Sequence, residues 1–180
     1  MLRITIPATE LWDEQKEEFV YTKEQTLQLE HSLVSLSKWE SKWHKSFIAT
    51  QNKTLEEILD YIRCMTVTQN VSDDAYSRLT EANIEEVYAY INNPMTATTF
   101  SDETRKKSKR EIITSELIYY WMIAQNIPFE CQKWHLNRLL TLIRVCNVKN
   151  EPPKKSKNKD IMRRYAELNA ANRKKFNSKG

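Results

Sequence analysis

The sequence predicts a mainly α (α+β) protein: a small N-terminal β-hairpin or strand element, a multi-helix orthogonal bundle, and a basic C-terminal helix. Three observations lead there. The 180 residues hold one glycine, Gly180, where about 7% is usual. No position from 1 to 179 can therefore supply the glycine-only backbone of phosphate loops, dinucleotide-binding turns or nucleophile elbows. Apolar residues recur every three or four positions over most of the chain, the period of an amphipathic helix. Thr or Ser stands three residues before Glu or Gln at several segment starts, the pattern of a reciprocal N-terminal cap. Sandwiches and barrels built on tight primed turns are disfavoured by the same lack of glycine.

Leu2, Ile4 and Ile6 alternate with polar residues and stop at Pro7. The runs Leu11-Trp12 and Phe19-Val20-Tyr21, separated by Asp13 to Glu17, read as a small antiparallel hairpin beside or continuing that strand. Thr22 with Gln25 reads as a cap opening a long helix over roughly residues 23–45, its stripe being Leu29, Leu33, Leu36, Trp39, Trp43 and Phe47. Thr54 with Glu57 opens a second, with Leu55, Ile58, Leu59, Ile62 and Met65 on one face. Ser72-Asp73-Asp74 caps a short helix to Leu79. Thr80 starts another that buries Ile84, Val87, Tyr88 and Ile91 and ends at Asn92-Asn93-Pro94.

Residues 95–110 have no apolar period and read as a mobile surface loop carrying Arg105, Lys106, Lys107, Lys109 and Arg110. Ser108 with Glu111 reads as a cap for a helix that is apolar almost all round, from Ile112 to Ile123, as if surrounded by others. Pro128 suits the first turn of the next helix, which carries Cys131, Trp134, Leu139, Leu142, Ile143 and Cys146. Residues 111–146 would form a helical hairpin at the centre of the core. Glu151-Pro152-Pro153 then interrupts the chain. Beyond it Ile161, Tyr165, Leu168 and Phe176 make a thin apolar row on a helix otherwise built of Arg, Lys, Ala and Asn, too thin to build a core alone.

The net charge of +4 conceals two opposed parts. Residues 149–180 carry 11 Lys and Arg against 3 Asp and Glu, a net +8, which leaves residues 1–148 at −4. The expected division is a helical body with its β element, 1–148, and a basic tail, 149–180. No stretch has the roughly 18 uninterrupted apolar residues of a membrane span, and Met1 to Pro7 lacks a signal-peptide apolar region, so the expectation is an intracellular protein without membrane contact. Cys64, Cys131 and Cys146 are odd in number and lack CxxC spacing, which argues for buried thiols over a disulfide framework.

Enzyme chemistry finds little purchase. Cys131 and His135 are four apart, which would stack them on one helix face, but a structural zinc site needs four converging ligands. No metal and no cofactor is expected. His31, His44 and His135 fall on amphipathic segments with no elbow to present a nucleophile. The acid pairs Glu56-Glu57, Asp73-Asp74 and Glu85-Glu86 read as solvated residues at helix starts and turns. Of the five tryptophans, Trp39, Trp43, Trp121 and Trp134 read as core residues, Trp12 lying outside the helices. The features with a partner implied are the basic loop 105–110 and the tail, where Ile161, Arg163, Arg164, Tyr165, Leu168, Arg173, Lys174, Lys175 and Phe176 are the candidate binding residues. They fit a docking helix for an acidic protein face or, alternatively, salt-sensitive nucleic-acid binding.

The run from Glu24 to Leu33, Ser37-Lys-Trp-Glu-Ser-Lys-Trp43, the run from Ile127 to Leu140 and the closing Ala166 to Gly180 resemble a group of tailed-bacteriophage proteins. The group in turn is similar to the tail assembly chaperones of long-tailed phages. The resemblance implies a small, mostly helical, non-enzymatic protein that coats the tape measure protein before the tail tube polymerises, acts in the bacterial host cytoplasm and self-associates as a homo-oligomer. It also implies a short and an extended form made by frameshifting, for which Lys154-Lys155 is the candidate slippery site. The family has no catalytic motif to transfer. The competing expectations are a virion connector or tail-completion protein and a small basic-tailed DNA-binding accessory protein.

Overall fold

Strands β1 (Leu2–Ile6) and β4 (Gln25–Leu29) form one antiparallel ladder, and β2 (Thr9–Asp13) and β3 (Glu18–Thr22) form a second. Leu2 faces Leu29, Ile6 faces Gln25, Thr9 faces Thr22 and Asp13 faces Glu18, so a single register runs through both. The two ladders are one long hairpin broken at Pro7, whose ring nitrogen cannot donate to a partner strand. The computed structural model describes residues 1–14, 17–100, 111–150 and 158–176. The basic loop Arg105, Lys106, Lys107, Lys109 and Arg110 lies outside the described residues, as do Ser108 and Lys154-Lys155.

The predicted helix from residue 23 is corrected at its start. Residues 25–29 are a strand, and α1 runs Leu33–Trp43, capped by Ser32, whose hydroxyl accepts from the Ser35 amide. Leu27 and Leu29 are fully buried while Thr26 is exposed, the two-residue period of a strand. Leu29, Leu33 and Leu36 also fit a helical stripe, and the alternation wins because β1 supplies a ladder for it. Thr22 is no helix cap: its hydroxyl donates to the Thr9 carbonyl (2.8 Å) and accepts from the Thr9 amide (3.2 Å), clasping the hairpin beside its break. Arg78 reinforces the same place, reaching the Thr22 hydroxyl and the Pro7 carbonyl.

Helix α2 (Leu55–Met65) starts on the full reciprocal cap between Thr54 and Glu57. It buries Tyr61, Ile62 and Met65 but leaves Leu55 exposed, contrary to the expected face. Short α3 (Asp73–Ser77) precedes α4 (Glu81–Asn92), which opens on a reciprocal cap between Thr80 and Asn83. On α4, Val87 and Tyr90 are buried and Tyr88 is exposed, so the tyrosine in the core is Tyr90. Helix α5 (Ser115–Ala124) begins four residues later than Glu111, with Thr114 as its cap. It is not enclosed: Tyr120 and Ile123 remain about 64% and 60% exposed.

Pro128 precedes a 3-10 turn, Phe129–Lys133, and not an α-helix; α6 (Leu136–Asn150) follows only after Trp134 takes an extended conformation. Cys131 and His135 therefore do not stack on one helical face. Within residues 1–148 the core has two clusters. One joins Ile4, Ile6, Leu27 and Leu29 to Trp39, Tyr61, Met65 and Val87. The other joins Leu33 and Leu36 to Ile118, Met122, Leu139 and Ile143. Helix α1 serves both, so it, and not the segment 111–146, is the centre of the body.

Without interior glycine, the left-handed backbone positions fall to other residues: Glu17, His44, Asn70, Met95 and Asn126 have φ between 50° and 56°. His44 ends α1 and Asn126 follows α5, standing where glycine usually ends a helix. The chain divides into two compact units, Met1–Val148 and Lys149–Gly180. The second holds the end of α6 and α7 (Asn158–Phe176). Among the described residues no helix is long and apolar enough to cross a membrane. The three cysteines are free thiols. The fold is mainly α with a small N-terminal β element.

Candidate functional site

Three places expose the residue types that bind partners or ligands. The first is α7. Every described side chain on it is exposed, including Met162, Tyr165, Leu168 and Phe176 at 53–75%. Arg163 pairs with Glu167 one turn on (3.1 Å), and the Lys175 ammonium lies 5.7 Å from the centre of the Phe176 ring. Arg173, Lys174 and Lys175 crowd the last turn, where cations complement the helix dipole. Of the tail candidates, Ile161 and Arg164 lie on α7 but their side chains fall outside the description. The helical spacing of Tyr165, Leu168 and Phe176 keeps them on one side of α7, interrupted by Asn172.

The second is the distal hairpin. Trp12 and Phe19 meet edge to face with ring centres 4.8 Å apart and are 53% and 58% exposed, beside exposed Val20 and Tyr21. The helical tryptophans behave otherwise: Trp39 is fully buried, and Trp43, Trp121 and Trp134 pack against the clusters.

The third is a cavity of about 570 Å³ inside the body, a size within the range of small-molecule pockets. Its walls are Ile58 and Ile62 of α2, Ile84, Val87 and Ile91 of α4, and Leu136 and Leu140 of α6. Buried His31 lines it, with Nδ1 2.6 Å from the Tyr61 hydroxyl. Burial, and secondarily the neighbouring His135, pushes the His31 imidazole down to about 3, so it is neutral at ordinary pH. The Tyr61 hydroxyl, its ionisation pushed up by burial, stays protonated. Lys53 completes the lining; it is half-buried, donates to the Thr50 carbonyl and lies 4.2 Å over the Phe47 ring. Burial lowers the Lys53 ammonium while Glu57 opposes that shift.

Around the cavity, polar groups are used for structure. His135 Nε2 meets the Tyr90 carbonyl (3.0 Å), and its Nδ1 accepts from the Asn137 amide (3.3 Å). The Asn137 side chain donates to the Ile91 and Asn93 carbonyls. The start of α6 thus gives hydrogen-bond partners to carbonyls at and just past the end of α4, where helix carbonyls run short of amides. With both ring nitrogens engaged, His135 offers no lone pair to a metal. Among the described residues no group of three or more His, Cys, Asp or Glu is placed to hold a metal ion.

The acid pairs divide. Glu57 is buried and not solvated: it caps α2 through Thr54 and receives the Lys45 ammonium, which holds its carboxyl below the usual range. Asp60, one turn on and also buried, accepts from the Trp43 indole (2.9 Å) and from Lys42. Asp73 and Asp74 are exposed and pair with Arg63 and Arg78, and Glu85 and Glu86 are exposed. Burial and Asp60 push the Cys64 thiol up to about 11, which removes its nucleophilic thiolate at neutral pH. The sequence reading missed that His31, Tyr61 and Lys53 line one cavity, because they come from the segment after a strand, a helix and a loop with no shared motif.

No protein-family model, no curated protein and no solved structure matches this chain.

Proposed function

We propose that this is a non-enzymatic assembly factor of a phage tail, a chaperone-like protein that holds the tape measure protein through its C-terminal helix. The observation that carries the reading is α7, a helix of 19 residues whose described side chains are all exposed although Met162, Tyr165, Leu168 and Phe176 are apolar. A helix of that composition gains little stability alone and much from an apolar groove or a second amphipathic helix. Its cations set the preference for an acidic partner face. The phage setting comes from the resemblance of the four sequence runs, and the tape measure is the partner that resemblance implies. The exposed face of α5 with Tyr120 and Ile123 supplies a second apolar surface, suited to self-association.

Co-expression of the full chain with the tape measure protein from the same genome tests the proposal. The expected result is a rise in soluble client and its co-purification, lost with Tyr165→Asp and Leu168→Asp together. Unchanged client solubility overturns it. Presence of the protein at fixed copy number in purified particles would favour the connector. Tight DNA binding that collapses between low and moderate salt would favour the nucleic-acid accessory.

A further inference from the structure

The geometry points to a ligand site in the cavity between α2, α4 and α6, for a small amphiphile with an apolar body and a single carboxylate that meets Lys53. The walls supply seven aliphatic side chains from three helices, together with the ring of Phe47. Charge decides the class. Among the described residues no carboxylate lines the cavity, and Lys53 is the only lysine or arginine that does. The nearby lysines are neutralised, Lys42 by Asp60 and Lys45 by Glu57. Lys53 makes no salt bridge among the described residues; Glu57, held by Lys45, acts on it only at longer range, and its hydrogen bond goes to the Thr50 carbonyl. A half-buried ammonium so placed is satisfied best by an anion delivered from the cavity side. The neutral His31 and Tyr61 pair offers polar contact without a second charge, so a dianion or a cation is disfavoured.

This inference is independent of the tape-measure reading, because no residue of α7 takes part in it. The test is isothermal titration of the full chain with decanoate and with decanol. Decanoate should bind one to one and saturably below its micelle threshold, roughly tenfold tighter than decanol, the scale of a charge-assisted hydrogen bond. Lys53→Met should bring decanoate down to the affinity of decanol and leave decanol unchanged. Ile84→Phe, which fills the cavity, should remove both. Circular dichroism and thermal melting establish that each variant is folded. Should Ile84→Phe fail to fold, the Lys53→Met comparison still decides, since that lysine is part of no core cluster. Absence of saturable decanoate binding, equal affinity for the two probes, or a Lys53→Met variant that binds decanoate as well as the parent overturns the inference.

Discussion

The Glu40 carboxylate joins two parts of the chain 75 positions apart: one oxygen accepts from the Ser115 amide at 2.7 Å, at the first turn of α5, and the other from the Phe47 amide at 2.9 Å. Glu40 is 7% exposed and sits near the end of α1. A negative group against a helix N-terminus is favourable in itself, and both amides are donors that need an acceptor when buried. Glu40→Ala should therefore destabilise the fold by about 2–4 kcal/mol, the cost of two stranded donors. Glu40→Gln, which keeps an acceptor oxygen, should cost less than half as much. Urea unfolding followed by tryptophan fluorescence measures both, and equal losses would refute the two-donor account.

Acid should weaken the fold from about pH 6.5 downward through its buried histidines. Unfolded, His31 takes a proton near its ordinary 6.5; folded, it resists until about 3. Between those values the unfolded state holds the extra proton, so stability falls as the pH falls. His135, lowered chiefly by burial, acts in the same direction. Each histidine contributes a slope of up to about 1.4 kcal/mol per pH unit. His31→Gln, which can still hydrogen-bond the Tyr61 hydroxyl, should flatten the loss between pH 6.5 and 5, as read from denaturation midpoints across that range.

Below about pH 4.5 a second loss follows from Glu57, whose carboxyl is held down by Lys45 and by the Thr54 amide. A depressed carboxyl stabilises the fold above its unfolded value and ceases to as pH drops through its folded one. Lys45→Met should reduce this acid-range loss while leaving the histidine range unaltered. The same pH series of unfolding curves separates the two.

His44 closes α1 at φ 53°, a conformation that costs a residue with a Cβ about 1–2 kcal/mol. His44→Gly should raise stability, by about 1 kcal/mol or less, because glycine's own flexibility offsets part of the relief. A fall in the thermal midpoint would show that the imidazole makes a stabilising contact.

Tyr165→Asp and Leu168→Asp should leave the unfolding midpoint of the body within about 0.5 kcal/mol, as expected of exposed positions. Both side chains are more than half exposed. A larger drop would show that α7 is part of the folded core.

Much of the architecture was legible because local chemistry and tertiary structure agree. The caps at Thr54 and Thr80 open α2 and α4, and Pro94 lies just past the end of α4. The hairpin and its continuation of the first strand follow from alternation. Errors arose where a local pattern had two readings. Leu29 belongs equally to a strand alternation and a helical stripe, and only the pairing with Leu2 decides it. The cap and helix expected around Glu111 yield to Thr114, which is followed by the Ser115 amide that Glu40 accepts. Of the tail residues, helical placement and apolar spacing were readable from sequence. The cavity was not, since His31, Lys53 and Tyr61 come to line one cavity only when the segment after β4, the loop before α2 and α2 itself pack.

Five left-handed residues were described above as substitutes for glycine, and the same substitution reaches the denatured ensemble. A chain without interior glycine has fewer backbone conformations open to it when unfolded, so it surrenders less entropy on ordering. The strain at Glu17, His44, Asn70, Met95 and Asn126 is local and enthalpic, whereas the gain is spread over the whole length. Stability in this protein therefore rests partly on what its disordered chain is unable to do.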